Sequence, residues 1–174
     1  RQPLGDRLVT LAEQAKAAGK RISFDPNWRN LMDSHYREQT FPTMTALADM
    51  IKLSDEDLRH IYPGLSEHQA LDELRALNPM AEILFTRGEH GMLLHTPDSQ
   101  YEQPAIPVTV ADTVGAGDAC MAGWLASQLL GIREVRDRLR FSAACASLSC
   151  RHAGAHAPTL ADVNDLLKTT ALQS

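Results

Sequence analysis

Residues 112–118 read Asp-Thr-Val-Gly-Ala-Gly-Asp, and an apolar small-residue run, 119–130, follows at once. Two glycines around an alanine leave the backbone nearly bare, free to turn sharply and to approach a ligand closely. The run behind them has the make-up of a helix. A bare turn that opens a helix offers unpaired N–H groups and the positive end of the helix dipole, which together seat an anion such as phosphate. Asp118 closes the string. A carboxylate beside an anion seat can take the proton from a hydroxyl that attacks the phosphate. The segment suggests phosphoryl transfer to an alcohol.

Other glycine fingerprints fit less well. A Walker P-loop ends Gly-Lys-Ser/Thr, which this chain lacks. A dinucleotide fingerprint needs a third small residue where Cys120 stands, and an acid about 20 residues on at a strand end; Asp137 lies in a helical pattern instead. The plain structural reading is a helix start built from Thr113 and two flexible glycines, with Asp118 favouring the dipole.

Around this turn the pattern is α/β. Leu4, Leu8, Leu11, Ala12 and Ala15 recur at helical spacing, and Gly19 stops the run. Short strands are expected at 21–24, 50–53, 83–85 and 91–95, with one or two more within 101–110. Residues 31–48 read as helix and loop broken by Pro42. Helices are expected from Ser54, from Ser66 with Gln69 completing a capping box, and over 116–130, 133–150 and 160–168, the last with Thr159 as N-cap. Pro97, Asp98 and Ser99 mark a hairpin turn. Helices alternating with strands indicate an α/β layer structure. The chain reads as one unit over residues 1–174, without repeat or linker.

Composition narrows the partners. The formal net charge is −5 with no cluster of Lys and Arg, so a general nucleic-acid binder is not expected. No apolar stretch approaches the roughly 18 residues of a membrane span, and there is no signal peptide, so a cytoplasmic location is expected. Cys120, Cys145 and Cys150 have no CxxC spacing and read as buried free thiols. His152 and His156 stand four apart, but Gly154 lies between them and no third ligand is near, so zinc is not expected. The chain opens on Arg1 and runs straight into a helical pattern, the form of a fragment or a trimmed chain.

The full Asp-Thr-Val-Gly-Ala-Gly-Asp string closely resembles the signature of the ribokinase-like (PfkB) sugar kinases. The resemblance implies that Asp118 is the catalytic base and that the amides of Gly115, Ala116 and Gly117 hold the γ-phosphoryl oxygens. Other segments follow in the family's order. Asp25-Pro26-Asn27-Trp28-Arg29 resembles the strand end of fructokinases and 2-keto-3-deoxygluconate kinases, which implies sugar contacts from Asn27 and Arg29; Asp-Pro-Asn is also strong turn chemistry. Thr86-Arg87-Gly88-Glu89-His90-Gly91 resembles the nucleotide loop, which implies that Thr86, Gly88 and Gly91 lie along ATP; a plain β-turn between strands reads the same way. In residues 141–159, Ala144 and Ser147 are small enough to leave room for adenine, or simply for tight helix packing.

Two metal assignments come by the same route. Lys52–Asp57 resembles the family's Asn-x-x-Glu region, which helps organise Mg²⁺ through water. Here Ser54 replaces the Asn and Asp57 the Glu, and Ser-x-x-Asp is equally a helix cap. Asp112, Val114 and Gly154 correspond to the neighbourhood of a monovalent-cation site, implying K⁺. The implied fold is the ribokinase-like three-layer α/β/α, with a central, mostly parallel sheet. Only its C-terminal portion is matched: the N-terminal half and the lid have no counterpart. The implied activity is ATP- and Mg²⁺-dependent phosphorylation of a primary sugar hydroxyl. Fructose is the first substrate and 2-keto-3-deoxygluconate or another sugar or nucleoside the alternative, and a homodimer of the full-length protein is compatible. Because half the family's unit is missing, a non-catalytic nucleotide-binding fragment stays open, as does a purely structural α/β domain.

Overall fold

The computed structural model describes residues 2–29 and 32–171, so Leu31, at the head of the expected 31–48 segment, lies outside the described residues. The helices are α1 (Gln2–Ala17), α2 (Phe41–Leu47), α3 (Asp55–Ile61), α4 (Glu67–Leu77), α5 (Ala116–Leu129), α6 (Val135–Ser149) and α7 (Leu160–Ala171). The strands are β1 (Ser23–Phe24), β2 (Met50–Ser54), β3 (Glu82–Thr86), β4 (Met92–His95) and β5 (Gln100–Gln103). They form one mixed sheet in the order β1-β2-β3-β4-β5. β1 pairs with β2 in parallel, Ser23 opposite Met50 and Phe24 opposite Ile51. The connections 87–91 and 96–99 are far too short for a parallel crossover, so β3, β4 and β5 run as an antiparallel meander. No helix among the described residues is long and apolar enough to cross a membrane.

Two compact units make up the chain: Arg1–Phe85 with Leu94–Gln100, and Thr86–Leu93 with Tyr101–Ser174. In the first, Met50, Ile51, Leu53, Ile83, Leu84 and Phe85 are fully buried on strands, and Phe41, Leu58 and Leu74 are buried on the helices. Local chemistry sets the helix starts. Ser54 Oγ accepts from Asp57 N (3.1 Å) while Asp57 Oδ2 accepts from Ser54 N (2.8 Å). Ser66 and Gln69 do the same on α4. These reciprocal caps satisfy amides that a helix cannot pair itself. At the other end of α1, Gly19 takes φ 72° and releases the chain toward β1.

α1 departs from its expected role. Its periodicity is helical, but Leu4, Leu8 and Leu11 are 64%, 52% and 61% exposed and Ala12 is buried, so the leucine stripe is uncovered among the described residues. The interval 101–110 holds one strand: β5 ends at Gln103, and 104–110 has no regular structure. Pro104 and Pro107 cannot donate to a ladder, which is reason enough.

In the second unit α5 packs along α6, and α6 on α7. Close approach rests on Gly123, where a Cβ would sit 2.9 Å from Cys145 Sγ and 3.0 Å from Ser142 Cα. Trp124 is fully buried beneath the Arg138 guanidinium, 3.9 Å from its ring centroid. Gly123→Val should therefore force the two helices apart and destabilise the protein by about 2–3 kcal/mol, measured by urea unfolding. An unchanged midpoint would show that the helix pair adjusts freely. Cys120 and Cys145 are buried free thiols and Cys150 is half-buried. Burial, with Cys120 beside it, pushes the Cys145 thiol up to about 11.

Candidate active site

Gly115 is the pivot of the glycine turn. It sits at φ 81°, ψ −2°, in the left-handed region, and serves as N-cap of α5 without any side-chain cap. Thr113 does not cap the helix; its carbonyl instead accepts from Ala116 N at 3.2 Å. A Cβ on Gly115 would stand 3.0 Å from Cα and Cβ of Ala155, so both the conformation and the neighbouring loop require glycine. Among the described residues, no acceptor takes the N–H of Gly115, Gly117 or Asp118. The open amides are thus those three, while Ala116 is committed to Thr113. They lie at the positive end of a 14-residue helix, where an anion is favoured. Asp118, in the first turn, is exposed and makes no hydrogen bond or ion pair to the described residues.

The turn is held from behind by Asp112. Its Oδ2 accepts from Gly154 N (2.8 Å) and its Oδ1 from Val114 N (3.1 Å), and these bonds hold its carboxyl below the ordinary aspartate range. Ala111 N and Asp112 N both donate to the carbonyl of Cys150. The structure therefore brings Asp112, Val114 and Gly154 together.

A groove of about 600 Å³ opens beside the turn, running from Gly115 and Asp118 along Ala119, Ala122, Gly123 and Ala126 of α5, opposite Phe141 and Cys145 of α6. Loop 155–158, with His156, closes one side. The sequence reading missed these small residues of α5. The signal was present: Ala119, Ala122, Gly123 and Ala126 recur at 3–4 residue spacing, in a helix whose one ionisable residue besides its cysteine is Asp118. Ala144 and Ser147 belong elsewhere. Ala144 is fully buried, and the Ser147 hydroxyl donates to the carbonyl of Ile106 at 2.8 Å. Both are buried inside the second unit. His152 and His156 stack with ring centroids 3.8 Å apart.

The 86–91 loop is a tight turn between β3 and β4. Arg87 N donates to the carbonyl of Gly91 (2.8 Å), and the Arg87 guanidinium pairs with Glu102 of β5 at 2.7 Å. Gly88 has φ 53° and open space where a Cβ would stand; Gly91 has φ 82° and is crowded by the backbone of 103–105. Thr86 ends β3 at the mouth of this loop, half-buried. Gly88 therefore borders open space, whereas Gly91 is glycine for reasons of backbone packing.

In the other unit, β1 delivers 25–29. Asn27 adopts φ 42°, the one non-glycine residue with positive φ among those described. Strained conformations of this kind cluster at ligand clamps and active sites. Asn27 and Arg29 are exposed, and Arg29 Nη1 donates to its neighbour's carbonyl, Trp28 O, at 2.8 Å. Asp57 is different. It is buried; its Oδ1 accepts from Trp28 N (2.7 Å), and its Oδ2 accepts from Ser54 N (2.8 Å) and Ser54 Oγ (2.7 Å). Three of the carboxylate's roughly four acceptor sites are thus taken by structural donors.

The profile of the "pfkB family carbohydrate kinase" matches residues 2–162. A fructokinase of Rhizobium leguminosarum bv. trifolii is 39% identical over 72% of this chain and 38% of its own length. An ATP-dependent ribose-1-phosphate kinase of Halopiger xanaduensis is 31% identical over 90% of this chain and 49% of its own. The crystal structure of a fructokinase with bound ATP from Xylella fastidiosa superposes with a TM-score of 0.82 at 25% identity, over 96% of this chain and 57% of that one. The chain spans about half the length or less of the curated relatives it matches. With the glycine turn, the 86–91 loop and the β1 strand end all falling inside the matched span, the chain belongs to the pfkB family of carbohydrate kinases.

Proposed function

We propose that the protein transfers the γ-phosphoryl group of ATP to a primary hydroxyl of a sugar, with fructose as the preferred acceptor. The observation that carries this reading is the glycine turn: open amides of Gly115, Gly117 and Asp118 at a helix N-terminus, with the unpaired Asp118 carboxylate beside them. The amides hold the phosphoryl oxygens as charge builds on them, each worth on the order of 3 kcal/mol in the transition state. Asp118 accepts the proton of the sugar hydroxyl. The hydroxyl oxygen then bonds to the γ-phosphorus, the bond from that phosphorus to the β–γ bridging oxygen breaks, and ADP leaves. Mg²⁺ carried by ATP would supply positive charge against the phosphates. K⁺ fits the cluster of Asp112, Val114 and Gly154: the Asp112 carboxylate has used two of about four acceptor sites and ties together the two backbone segments that would supply carbonyls to a cation. Thr86 and Gly88 flank the nucleotide, and Asn27 and Arg29 bind acceptor hydroxyls.

Fructose is favoured by the several relatives named fructokinase at 30–39% identity. The exposed Arg29 guanidinium supports a second reading, an acceptor carrying a carboxylate or phosphate, because arginine pairs with such groups in bidentate fashion. Initial rates of the natural full-length protein with ATP·Mg²⁺ and fructose, a 2-keto-3-deoxy sugar acid and a sugar phosphate separate them. Fructose should give the highest kcat/KM, and Arg29→Ala should lower it about tenfold. A loss confined to the anionic acceptors would establish the second reading. ATP binding by calorimetry without turnover on any sugar would leave a non-catalytic nucleotide-binding module, and no nucleotide binding at all would sink both.

A further inference from the structure

We infer that Asp57, with the Asp25–Lys52 pair, is the positioning device of the acceptor-binding strand end. The inference rests on the reading that Asn27 and Arg29 contact the sugar. Two anchors fix the backbone between them. Asp57 Oδ1 holds Trp28 N at 2.7 Å, across 29 positions of sequence. Asp25 Oδ1 accepts from Asn27 N at 3.2 Å, and its Oδ2 meets Lys52 Nζ at 3.0 Å, the lysine side chain being only 6% exposed. Between the anchors lies Asn27 at φ 42°, a conformation that persists only where surrounding bonds over-determine it. Packing completes the clamp. The Trp28 ring lies nearly parallel to His60 (7°, centroids 6.0 Å apart) and edge-on to Tyr36 (5.8 Å). Burial, with Asp57 and Asp25 facing it, raises Tyr36 above the ordinary tyrosine range, so its hydroxyl stays neutral.

The consequence for the sugar is geometric. Trp28 and Asp25 turn inward, and Asn27 and Arg29, on either side of Trp28, are left exposed. The same carboxylate that caps α3 through Ser54 thus sets where these two side chains begin.

Steady-state kinetics of the natural full-length protein test this. Asp57→Ala should raise the sugar KM about tenfold while kcat stays within about threefold and the Mg²⁺ half-saturation does not move. Asp57→Asn keeps one acceptor oxygen for Trp28 N and should restore most of the sugar affinity; it also serves if the alanine variant fails to fold. The paired change Asp25→Asn with Lys52→Met removes both charges together and should raise the sugar KM in the same way. Ser54→Ala removes the cap hydroxyl but not the bond to Trp28 and should leave the sugar KM unchanged. If Asn27→Ala and Arg29→Ala raise the sugar KM but Asp57→Ala does not, positioning is overturned. A shifted Mg²⁺ half-saturation with lowered kcat overturns it in favour of a metal role. If Asn27→Ala and Arg29→Ala leave the sugar KM unmoved, the reading beneath the proposal fails, and the proposal with it.

Discussion

Asp118→Asn should lower kcat by roughly 10²–10⁴-fold, with KM for ATP nearly unchanged. The side chain is exposed and bonded to nothing among the described residues, so the substitution breaks no internal contact and stability should stay within about 0.5 kcal/mol of the parent. The amide replacement keeps the side-chain shape, and the backbone N–H groups at 115, 117 and 118 stay open, so the phosphate seat survives. What disappears is the acceptor for the sugar proton, a group needed only as the hydroxyl attacks. A loss in kcat without a loss in ATP binding is the signature of an interaction made in the transition state alone. Near-parental turnover would show that the hydroxyl proton leaves by another route and would remove Asp118 from its role. A parallel loss of ATP affinity would mean that the carboxylate shapes the nucleotide seat instead.

Local chemistry made much of this legible. The boxes Ser54/Asp57 and Ser66/Gln69 each lie within four residues, so their hydrogen bonds could be read directly and the helices begin where they indicate. Thr159 and Asp162 form the same reciprocal pair at the start of α7. The glycine string marked the turn and the helix behind it. Its detail was less accessible: that Ala116 N turns back to Thr113, leaving Asp118 N open, depends on the φ and ψ of Gly115. The readings that changed are those decided by tertiary contact. Small residues at 144 and 147 are compatible with a ligand wall or with tight packing, and the bond from Ser147 to Ile106, 41 positions away, is a tertiary contact that no local pattern shows. Asp57 carries a cap signature in its sequence, but its bond to Trp28 has none. The leucines of α1 show the limit of periodicity, which places a helix without saying that its stripe is covered.

Gly91→Ala should be among the most destabilising single changes in the second unit, by about 3 kcal/mol or more, a fall of roughly 6–12 °C in Tm for a protein of this size. Two independent penalties add. At φ 82°, ψ −139° an L-residue is strained by about 1–3 kcal/mol before any contact is considered. The new methyl would then overlap the carbonyl oxygen of Gln103 and stand 2.7 Å from Ala105 N and 2.8 Å from the carbonyl carbon of Pro104, all backbone atoms that cannot rotate aside. Gly88→Ala separates folding from nucleotide contact in the same loop. Its Cβ enters open space, leaving only the strain of φ 53°, about 1–2 kcal/mol. If the 86–88 end lies against ATP, Gly88→Ala raises KM for ATP with a small fall in Tm. Gly91→Ala instead lowers Tm sharply and reduces activity only as far as the folded fraction falls. The reverse pattern, a stable Gly91→Ala protein with weakened ATP binding, would return Gly91 to the nucleotide site and show that the 103–105 segment gives way.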